Sequence, residues 1–514
     1  MKAPELLRIS DYVDHWARQA PDREAWVLGA SRATYRDLSN DTDRWARALL
    51  AAGVRRGDRV AVRADPTPDY WIAFLAIAGI GAIYLGLNPK QRGPEIAHVV
   101  SDASPVIVVD LMEPDGGHPV DALSVDVVGQ TPVVAAGRAD VRAAFLQAGA
   151  GVDDDILRSA REAVGGGDAA ALVYTSGSTG QPKGALLPHR GLVRCCVVQG
   201  EHWFDGLPPR MVINLPVNHV GCVGDVCAST LVAGGTLLFQ RHFDPVDVLD
   251  LIARECASLW GAVPAMFSLS VHSAAWASAD LSSLRRIVWS GGAMPLPLAR
   301  QLNERCSTLL NCYGMTETVG SITFTDDADD LETLTGTVGR PEPAYDVRLV
   351  AEDGHVCRAG EEGEIRVRGD FVFLGYLGQP EATSAAFDAD GYLKTGDVGL
   401  LRSDGNVVLV GRTHDMFKSG GYNVYPREIE LALEAHPGVL LAAVIAVPDE
   451  TFGEVGHGFV TVSADVTAEQ LREFLRDRLA NYKVPKQIVV MADMPVQPIG
   501  KVDKRELARH AHPR

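Results

Sequence analysis

The chain has 514 residues, of which 46% are hydrophobic and 22% are charged. This length favours about two or three domains, and the composition excludes disorder over most of the chain, because too many apolar side chains would be left in water. The 66 acidic and 48 basic residues give a net charge of −18, which disfavours binding to nucleic acid or to an anionic membrane through bulk charge.

The beginning of the chain turns polar without the basic and apolar segments of a secretory signal. We therefore expect a cytoplasmic protein whose eight cysteines are reduced. Residues 70–87 carry no charge, but Gly79, Gly81 and Gly86 disfavour a single membrane-spanning helix. The stretch instead predicts a buried helix that ends near Gly79 and a buried strand over 82–85, so no integral membrane span is expected.

Short apolar runs alternate with amphipathic stretches through the first four-fifths of the chain. This alternation predicts α/β layers with parallel sheets. The predicted strands are 59–62, 106–109, 170–174, 211–215, 236–239, 286–289 and 308–311. The predicted helices are 39–52, 245–256 and 295–306. Residues 112–167, rich in glycine, aspartate and alanine, are interpreted as a surface excursion without a chemical role.

Near residue 400 the pattern changes to strand, turn and strand, and the last hundred residues predict a small α+β domain. Helices are expected from Pro426 and after Thr467, which forms a capping box with Gln470. Strands are expected over 441–447, 458–462 and 487–491, followed by a polar tail. Residues 411–421 are the natural joint between the two parts of the chain.

The segment 175–184, TSGSTGQPKG, contains four hydroxyl side chains, three glycines and one lysine between two apolar runs. Glycines let the backbone approach a ligand and direct N–H groups at it, while the hydroxyls and Lys183 add further donors. The segment therefore predicts a polyphosphate-binding loop. It is not a Walker A loop, because Lys183 follows a proline and precedes a glycine. A plain turn would need neither this density of hydroxyls nor the lysine.

Further motifs follow the loop, namely SGGAMP at 290–295, YGMTET at 313–318, YLKTGD at 392–397, GR at 411–412 and PIGKVDK at 498–504. In the motif YGMTET at 313–318, the tyrosine can stack on adenine, a threonine hydroxyl can reach a phosphate and the carboxylate can hold Mg²⁺. Asp397 follows a glycine at a strand end, where a carboxylate can accept both hydroxyls of a ribose. Taken singly, these segments would also fit plain turns and solvated surface charges.

Together these motifs resemble, in order and over nearly the whole chain, those of the adenylate-forming superfamily. This superfamily includes acyl-CoA synthetases, adenylation domains of peptide synthetases and beetle luciferases. The resemblance implies ATP, Mg²⁺ and coenzyme A as cofactors, with the metal on Glu317. It implies catalytic roles for Lys501, Lys418, Glu317 and Thr175. The implied nucleotide-binding residues are Thr175, Ser176, Gly177, Ser178, Thr179, Gly180, Lys183, Gly292, Ala293, Tyr313, Gly314, Thr316, Asp397, Arg412 and Lys501.

The resemblance also implies an α/β fold, with a large N-terminal domain of layered α/β sheets plus a β-barrel-like subdomain and a small mobile α+β C-terminal domain. The expected boundaries are 1–410, a hinge at 411–421 and 422–514. The hinge position, usually Asp or Lys in the family, is His414 here, which is either a pH-sensitive pivot or a passive polar one. Ser419, Gly420 and Gly421 are expected to let the pantetheine arm of coenzyme A pass close to the backbone.

By family position, the acyl pocket is expected among His219, Trp260, Val263, Gly291, Asn311 and Met315. No fixed aspartate for an α-amino group and no arginine for a second carboxylate is recognised there. Because small and apolar residues dominate, we expect a hydrophobic monocarboxylic acid, either fatty, alicyclic or aromatic.

The resemblance implies ATP-dependent activation of this acid to acyl-AMP and transfer to coenzyme A, which gives acyl-CoA, AMP and pyrophosphate. One alternative is a stand-alone adenylating enzyme that loads a separate carrier-protein thiol. Another is a catalytically silent nucleotide-binding regulator, which the joint presence of Lys183, Glu317, Asp397, Arg412 and Lys501 disfavours. Self-association into a homodimer is left open.

Overall fold

The computed structural model describes residues 4–91, 93–113, 128–175, 182–413, 415–419, 422–449, 451–463, 465–496 and 502–511. Within these ranges the strands form four sheets. The largest sheet has parallel central strands and antiparallel strands at both edges. Its strands, in spatial order, are Arg340–Pro341, Ser321–Phe324, Leu309–Gly314, Arg286–Trp289, Leu259–Ala262, Arg210–Ile213, Thr236–Phe239, Glu24–Leu28 and Ser31–Thr34.

The second sheet is also mainly parallel, with antiparallel pairing at one end. Its strands, in spatial order, are Gly375–Tyr376, Lys183–Pro188, Ala169–Thr175, Ile83–Leu87, Arg59–Arg63, Ile107–Asp110 and Val133–Val134. The helix Pro68–Gly79 is buried along nearly its whole length and ends at the predicted glycine. No helix in the described ranges combines the length and apolarity that a membrane span requires.

The helices that accompany these two sheets have the amphipathic or fully apolar patterns that α/β packing requires. They are Asp11–Gln19, Tyr35–Ala51, Pro68–Gly79, Gly93–Ala103, Ala139–Ala148, Asp154–Glu162, His189–Trp203, Ser229–Val232, Asp247–Glu255, Pro264–Val271, Leu296–Asn303 and Leu331–Gly336. The helix Tyr35–Ala51 begins four residues before the predicted residue 39, because Thr34 and Asp37 form a capping box. A π-helical turn, Gly221–Ala228, precedes Ser229–Val232.

The described part of residues 112–167 is mostly exposed, as a surface excursion would be, but it contains regular elements that the sequence did not indicate. The strand Val133–Val134 extends the second sheet in parallel, and two helices follow it. The side chain of Leu157 is 3% exposed and belongs to the main core. Abundant acidic residues and glycines hid this pattern, because only a few apolar side chains anchor the segment.

The third sheet is antiparallel and lies where the barrel-like subdomain was predicted. Among the described residues its four strands form an open sheet and do not close into a barrel. Its strands are Asp346–Val350, Glu362–Arg368, Leu393–Leu401 and Val407–Arg412, and the helix Pro380–Ala386 precedes the third of them. Residues predicted as separate short strands around 392 and 400 form one continuous strand, Leu393–Leu401.

The fourth sheet forms the C-terminal α+β unit. Its strands, in spatial order, are Tyr422–Val424, Phe417–Ser419, Gly453–Val462 and Val439–Asp449, with Gln487–Val490 paired in parallel to Gly453–Val462. Its helices are Pro426–Glu434, Ala468–Arg476 and Lys504–Ala511. The expected capping box at Thr467 is present. The last helix lies in the predicted polar tail and is anchored by Leu507, which is fully buried.

The end of the strand Leu309–Gly314 passes close to the backbone of Gly320 and Ser321. A Cβ atom at Gly314 would lie 2.2 Å from the carbonyl oxygen of Gly320 and 2.7 Å from the Cα of Ser321. Only glycine allows this approach, which returns the chain directly into the strand Ser321–Phe324.

We therefore expect Gly314→Ala to destabilise the protein by about 1–3 kcal/mol, because the backbone must shift to remove the overlap. Urea unfolding would measure the change. Gly336→Ala is the matched control, since a Cβ atom there has no neighbour within 4 Å. Equal stability of the two variants would contradict the close approach.

Candidate active site

The side chains predicted to bind the nucleotide meet where several strands end. Thr175 is the last residue of Ala169–Thr175, and Gly314 is the last residue of Leu309–Gly314. Arg412 is the last residue of Val407–Arg412 and stands directly opposite Asp397 in the third sheet. These three strands belong to three different sheets, and side-chain hydrogen bonds from Thr175 to Glu317 and from Tyr313 to Asp397 link the sheets at this point.

One cluster joins a tyrosine, an aspartate and an arginine. The Tyr313 hydroxyl donates a hydrogen bond to Asp397 Oδ2 at 2.7 Å, and Arg412 Nε donates to Asp397 Oδ1 at 2.8 Å. Burial, together with the Asp397 carboxylate, raises the pKa of Tyr313 well above its ordinary value, so the phenol stays protonated and remains a donor. Asp397 is 5% exposed, and its oxygens keep lone pairs for further donors such as ribose hydroxyls.

A second cluster surrounds the Glu317 carboxylate. The Tyr376 hydroxyl donates to Glu317 Oε1 at 2.8 Å, and Thr175 Oγ1 lies 3.4 Å from the same oxygen. Lys183 Nζ lies 5.2 Å from the centre of the Tyr376 ring. The backbone of Glu317 is fixed by a hydrogen bond from Phe373 N to its carbonyl oxygen at 2.9 Å. The phosphate-loop residues Ser176, Gly177, Ser178, Thr179 and Gly180 lie outside the described residues.

The charge of Glu317 has no basic counterpart among the described side chains, although the residue is only 5% exposed. An ionised carboxylate in such a place is costly unless a cation joins it. Carboxylate oxygens are ligands that Mg²⁺ prefers. The residues present therefore fit the metal that the sequence predicts.

The segment between the two clusters is a short turn, Thr316–Thr318. The Thr318 hydroxyl bonds the backbone of Met315, both as acceptor from N and as donor to O at 2.9 Å. Thr316 is 7% exposed. Gly291 and Gly292 are exposed, and Gly291 has a φ of +80°, which favours glycine. Ala293 follows them and is half-buried.

Some of the predicted acyl-pocket residues keep accessible surface. His219 is half-buried, and its Nδ1 accepts a hydrogen bond from Gly221 N at 3.0 Å. Val263 and Met315 are also half-buried, and Gly291 is exposed. Of these four residues, Val263 and Gly291 lie side by side, since a Cβ atom at Gly291 would be 3.6 Å from Val263 Cγ1.

The structure places Trp260 and Asn311 differently from the prediction. Trp260 is fully buried in the second hydrophobic core, where its ring lies 4.6 Å from that of Phe267. In the strand Leu259–Ala262 the neighbouring Gly261 occupies the opposite face, against Met211. Asn311 donates through Nδ2 to the carbonyl oxygens of Leu334 and Thr337 at 3.2 and 2.7 Å. Neither side chain is available to a substrate in this arrangement.

The predicted hinge and coenzyme A residues are described only in part. Lys418 is exposed and Ser419 is 3% exposed, whereas His414, Gly420, Gly421 and Lys501 lie outside the described residues. On either side of the segment that holds Lys501, Val496 and Val502 pair as an antiparallel bridge.

Sequence reasoning missed Asp225, which lies in the π-helical turn that follows His219. The Gln199 amide Nε2 donates to Asp225 Oδ1 at 2.5 Å, and burial raises the pKa of Asp225 to about 6. A signal was present, because Asp225 is the only charged residue between His219 and Arg241. An isolated acid in an apolar run is rarely buried without a function or a partner.

The raised pKa predicts how Asp225 affects stability. Asp225 binds its proton more tightly in the folded state than in the unfolded chain. The free energy of unfolding of the wild type, compared with that of Asp225→Asn, should therefore fall as the pH rises from about 4 to about 6. At pH 8 we expect the variant to be the more stable by about 2 kcal/mol, and at pH 4 the two should be equal. Urea titrations across this range test it, with the exposed Asp390→Asn as control. A parallel pH dependence of the wild type and Asp225→Asn would contradict it.

Comparison with known proteins agrees with this geometry. Residues 13–377 match the family model described as AMP-binding enzyme, and residues 428–501 match the AMP-binding enzyme C-terminal domain. The chain is 37% identical to a feruloyl-CoA synthase of Amycolatopsis sp., over 96% of this chain and 97% of the relative. It is 31% identical to the long-chain-fatty-acid–CoA ligase FadD13 of Mycobacterium tuberculosis, over 96% of both chains.

A solved structure shows the same fold. ATP-bound MatB from Rhodopseudomonas palustris is 30% identical, with a TM-score of 0.85 over 98% of this chain and 99% of that one. The fold and the two clusters define an adenylate-forming enzyme. The chain belongs to the AMP-binding enzyme family. The predicted superfamily, α/β fold and class of AMP-forming acid–CoA ligase are confirmed, and ATP, Mg²⁺ and coenzyme A as cofactors agree with that class.

Proposed function

We propose that this protein activates a hydrophobic carboxylic acid with ATP and transfers the acyl group to the thiol of coenzyme A. The supporting observation is that the segment 313–318 contributes one residue to each polar cluster, Tyr313 to the first and Glu317 to the second. A nucleotide held at one cluster through its sugar would therefore present its phosphates towards the other. Residues 1–410, together with Arg412 of the joint 411–421, would carry this site, and residues 422–514 would move about that joint.

The nucleotide would be oriented by the first cluster. Asp397 would accept the ribose hydroxyls and Arg412 would hold the carboxylate in place, as its present hydrogen bond does. The raised pKa of Tyr313 keeps its phenol neutral beside them. Gly292 and Ala293 would border the adenine, and Thr316 would reach a phosphate.

The first reaction joins two anions. A carboxylate oxygen of the substrate attacks the α-phosphorus of ATP, and the bond from that phosphorus to pyrophosphate breaks. Mg²⁺ would be held by Glu317 and would supply positive charge against the phosphate oxygens. Lys183, the hydroxyl loop that begins at Thr175, and Lys501 would bind and orient the two anions and offset their repulsion.

The second reaction forms the thioester. The sulfur of coenzyme A attacks the acyl carbonyl carbon, and the bond from that carbon to the AMP oxygen breaks. Lys418, Ser419, Gly420 and Gly421 would face this step after the C-terminal unit turns. Next to them, the exposed Tyr422 ring stacks on the Tyr482 ring at 4.5 Å. This aromatic surface suits the nucleotide end of coenzyme A.

The acid substrate is proposed to be a monocarboxylic acid with a fatty, alicyclic or aromatic body. The half-buried His219, Val263 and Met315 and the exposed Gly291 support such a pocket. Relatives named as ligases for ferulate and for long-chain fatty acids support it further. A cytoplasmic location is part of the proposal, supported by eight unpaired cysteines. A homodimer stays a prediction that no observation tests.

ATP–pyrophosphate exchange across a panel of carboxylic acids tests this proposal. We expect exchange with hydrophobic acids and little exchange with amino acids or dicarboxylic acids. Adding coenzyme A should then convert the adenylate to a thioester, whereas a carrier protein should be the poorer acceptor. Absence of exchange with every acid would instead favour the silent regulator.

A further inference from the structure

Asp225 differs in exposure from the rest of its element. Every other residue of the turn Gly221–Ala228 is buried, and Asp225 alone is half-buried. The turn is π-helical, a local geometry that often occurs at functional sites. Asp225 therefore keeps some accessible surface in an element that is otherwise buried.

The carboxylate of Asp225 has one partner among the described residues. Gln199, which is fully buried, donates from Nε2 to Oδ1, and no described basic side chain forms an ion pair with Asp225. The residue is half-buried, and the hydrogen bond from Gln199 is the one that its carboxylate forms with the described residues. Gln199 therefore positions the carboxylate, and one oxygen remains to accept a hydrogen bond from a ligand.

Asp225 lies close to the proposed active site. Burial raises the pKa of the Cys312 thiol, and the Asp225 carboxylate raises it further; Cys312 precedes Tyr313 in the strand Leu309–Gly314. A Cβ atom at Gly320 would lie 3.2 Å from Gln199 Nε2, the group that donates to Asp225. Asp225 therefore lies near Cys312 and near the segment that follows Glu317.

The chemistry of the surroundings selects the kind of ligand group. The buried thiols of Cys195, Cys196 and Cys312 lie near Asp225 and make its surroundings weakly polar. A neutral hydroxyl loses little solvation on entry and gains a charge-assisted hydrogen bond. An ammonium group would lose far more solvation there, because the region offers it few other acceptors. The substrate carboxylate itself would be repelled by Asp225, so the recognised group must be remote from it.

We propose that Asp225 is a specificity-determining residue of the acyl pocket and accepts a hydrogen bond from a neutral hydroxyl group of the acid substrate, remote from the reacting carboxylate. This inference rests on the proposed function and narrows its substrate class to hydroxylated hydrophobic acids.

Matched acids that differ by one hydroxyl group test the inference. The pairs are cinnamic and 4-hydroxycinnamic acid, 3-phenylpropanoic and 3-(4-hydroxyphenyl)propanoic acid, and dodecanoic and 12-hydroxydodecanoic acid. The measurement is kcat/KM for pyrophosphate release at saturating ATP. In at least one pair, the wild type should prefer the hydroxylated acid by about tenfold or more. Asp225→Ala should bring that ratio close to one, partly because the acid without a hydroxyl reacts faster.

Two further variants make the result interpretable. Asp225→Asn keeps the shape of the side chain and a neutral acceptor, so its preference ratio should fall between those of the wild type and Asp225→Ala. This ratio can be measured even if Asp225→Ala folds poorly. Cys196→Ala alters a neighbour that contacts the same turn through the carbonyl oxygen of Gly224, and it should keep the wild-type ratio.

The inference would be overturned if no pair gave a ratio above about threefold in the wild type, or if the preference survived in both Asp225 variants. A preference for 4-aminocinnamic acid over its hydroxyl analogue would overturn the assignment of a hydroxyl. These outcomes differ from failure of the proposed function, in which no acid would support pyrophosphate release at all.

Discussion

Replacing Lys501 by alanine is expected to slow adenylation by about 10²-fold or more, comparable to the loss of one charge-stabilising donor in other enzymes. The lysine would hold the substrate carboxylate against the α-phosphate, and no other group can remove that repulsion as directly. The variant should still form thioester from supplied acyl-adenylate, because in the proposed mechanism the second step would use the other face of the C-terminal unit. Pyrophosphate release and thioester formation, measured separately, give the two rates.

Lys90 is exposed, so Lys90→Ala is a control for the loss of a lysine elsewhere on the protein. Its rates of pyrophosphate release and thioester formation should both match those of the wild type. If Lys501→Ala slowed the two steps equally, the division of work between two arrangements of the C-terminal unit would be wrong for this protein.

Glu317→Gln should reduce adenylation by a similar factor of about 10². The substitution keeps the shape and lets the amide oxygen accept from Tyr376, but it removes the one negative charge of this cluster. Mg²⁺ should then be needed at higher concentration, which a titration of pyrophosphate release against the metal would measure. The folded structure should persist, because the buried charge is costly without a cation.

Tyr376→Phe separates the charge from its hydrogen bond. This variant keeps the carboxylate, and its rate of adenylation should fall by about tenfold or less. If Tyr376→Phe were as slow as Glu317→Gln, or if the magnesium requirement of Glu317→Gln were unchanged, Glu317 would act by holding Tyr376 rather than by holding the metal.

Most of the fold followed from local patterns. Apolar runs predicted the parallel strands, and the capping box at Thr467 predicted a helix that is observed. The helix Lys504–Ala511 was missed because a single apolar residue, Leu507, anchors it, so no hydrophobic period was visible. The described part of 112–167 was missed for the same reason.

The candidate site was predictable at positions where the residue type itself indicates the chemistry. Asp397, Arg412, Tyr313 and Glu317 come from distant segments, and the structure brings them into two clusters. The acyl pocket was harder, because which face of a strand a side chain occupies depends on tertiary packing. Trp260 faces the core for this reason.

In the proposed reaction the acid and the nucleotide become a mixed anhydride. Turnover of a substrate acid labelled with ¹⁸O in both carboxylate oxygens, followed by mass spectrometry of the products, tests this step. We expect each AMP released to gain one labelled oxygen, because the carboxylate oxygen attacks phosphorus and stays with AMP when sulfur attacks the acyl carbon. Unlabelled AMP, or label in pyrophosphate, would contradict it.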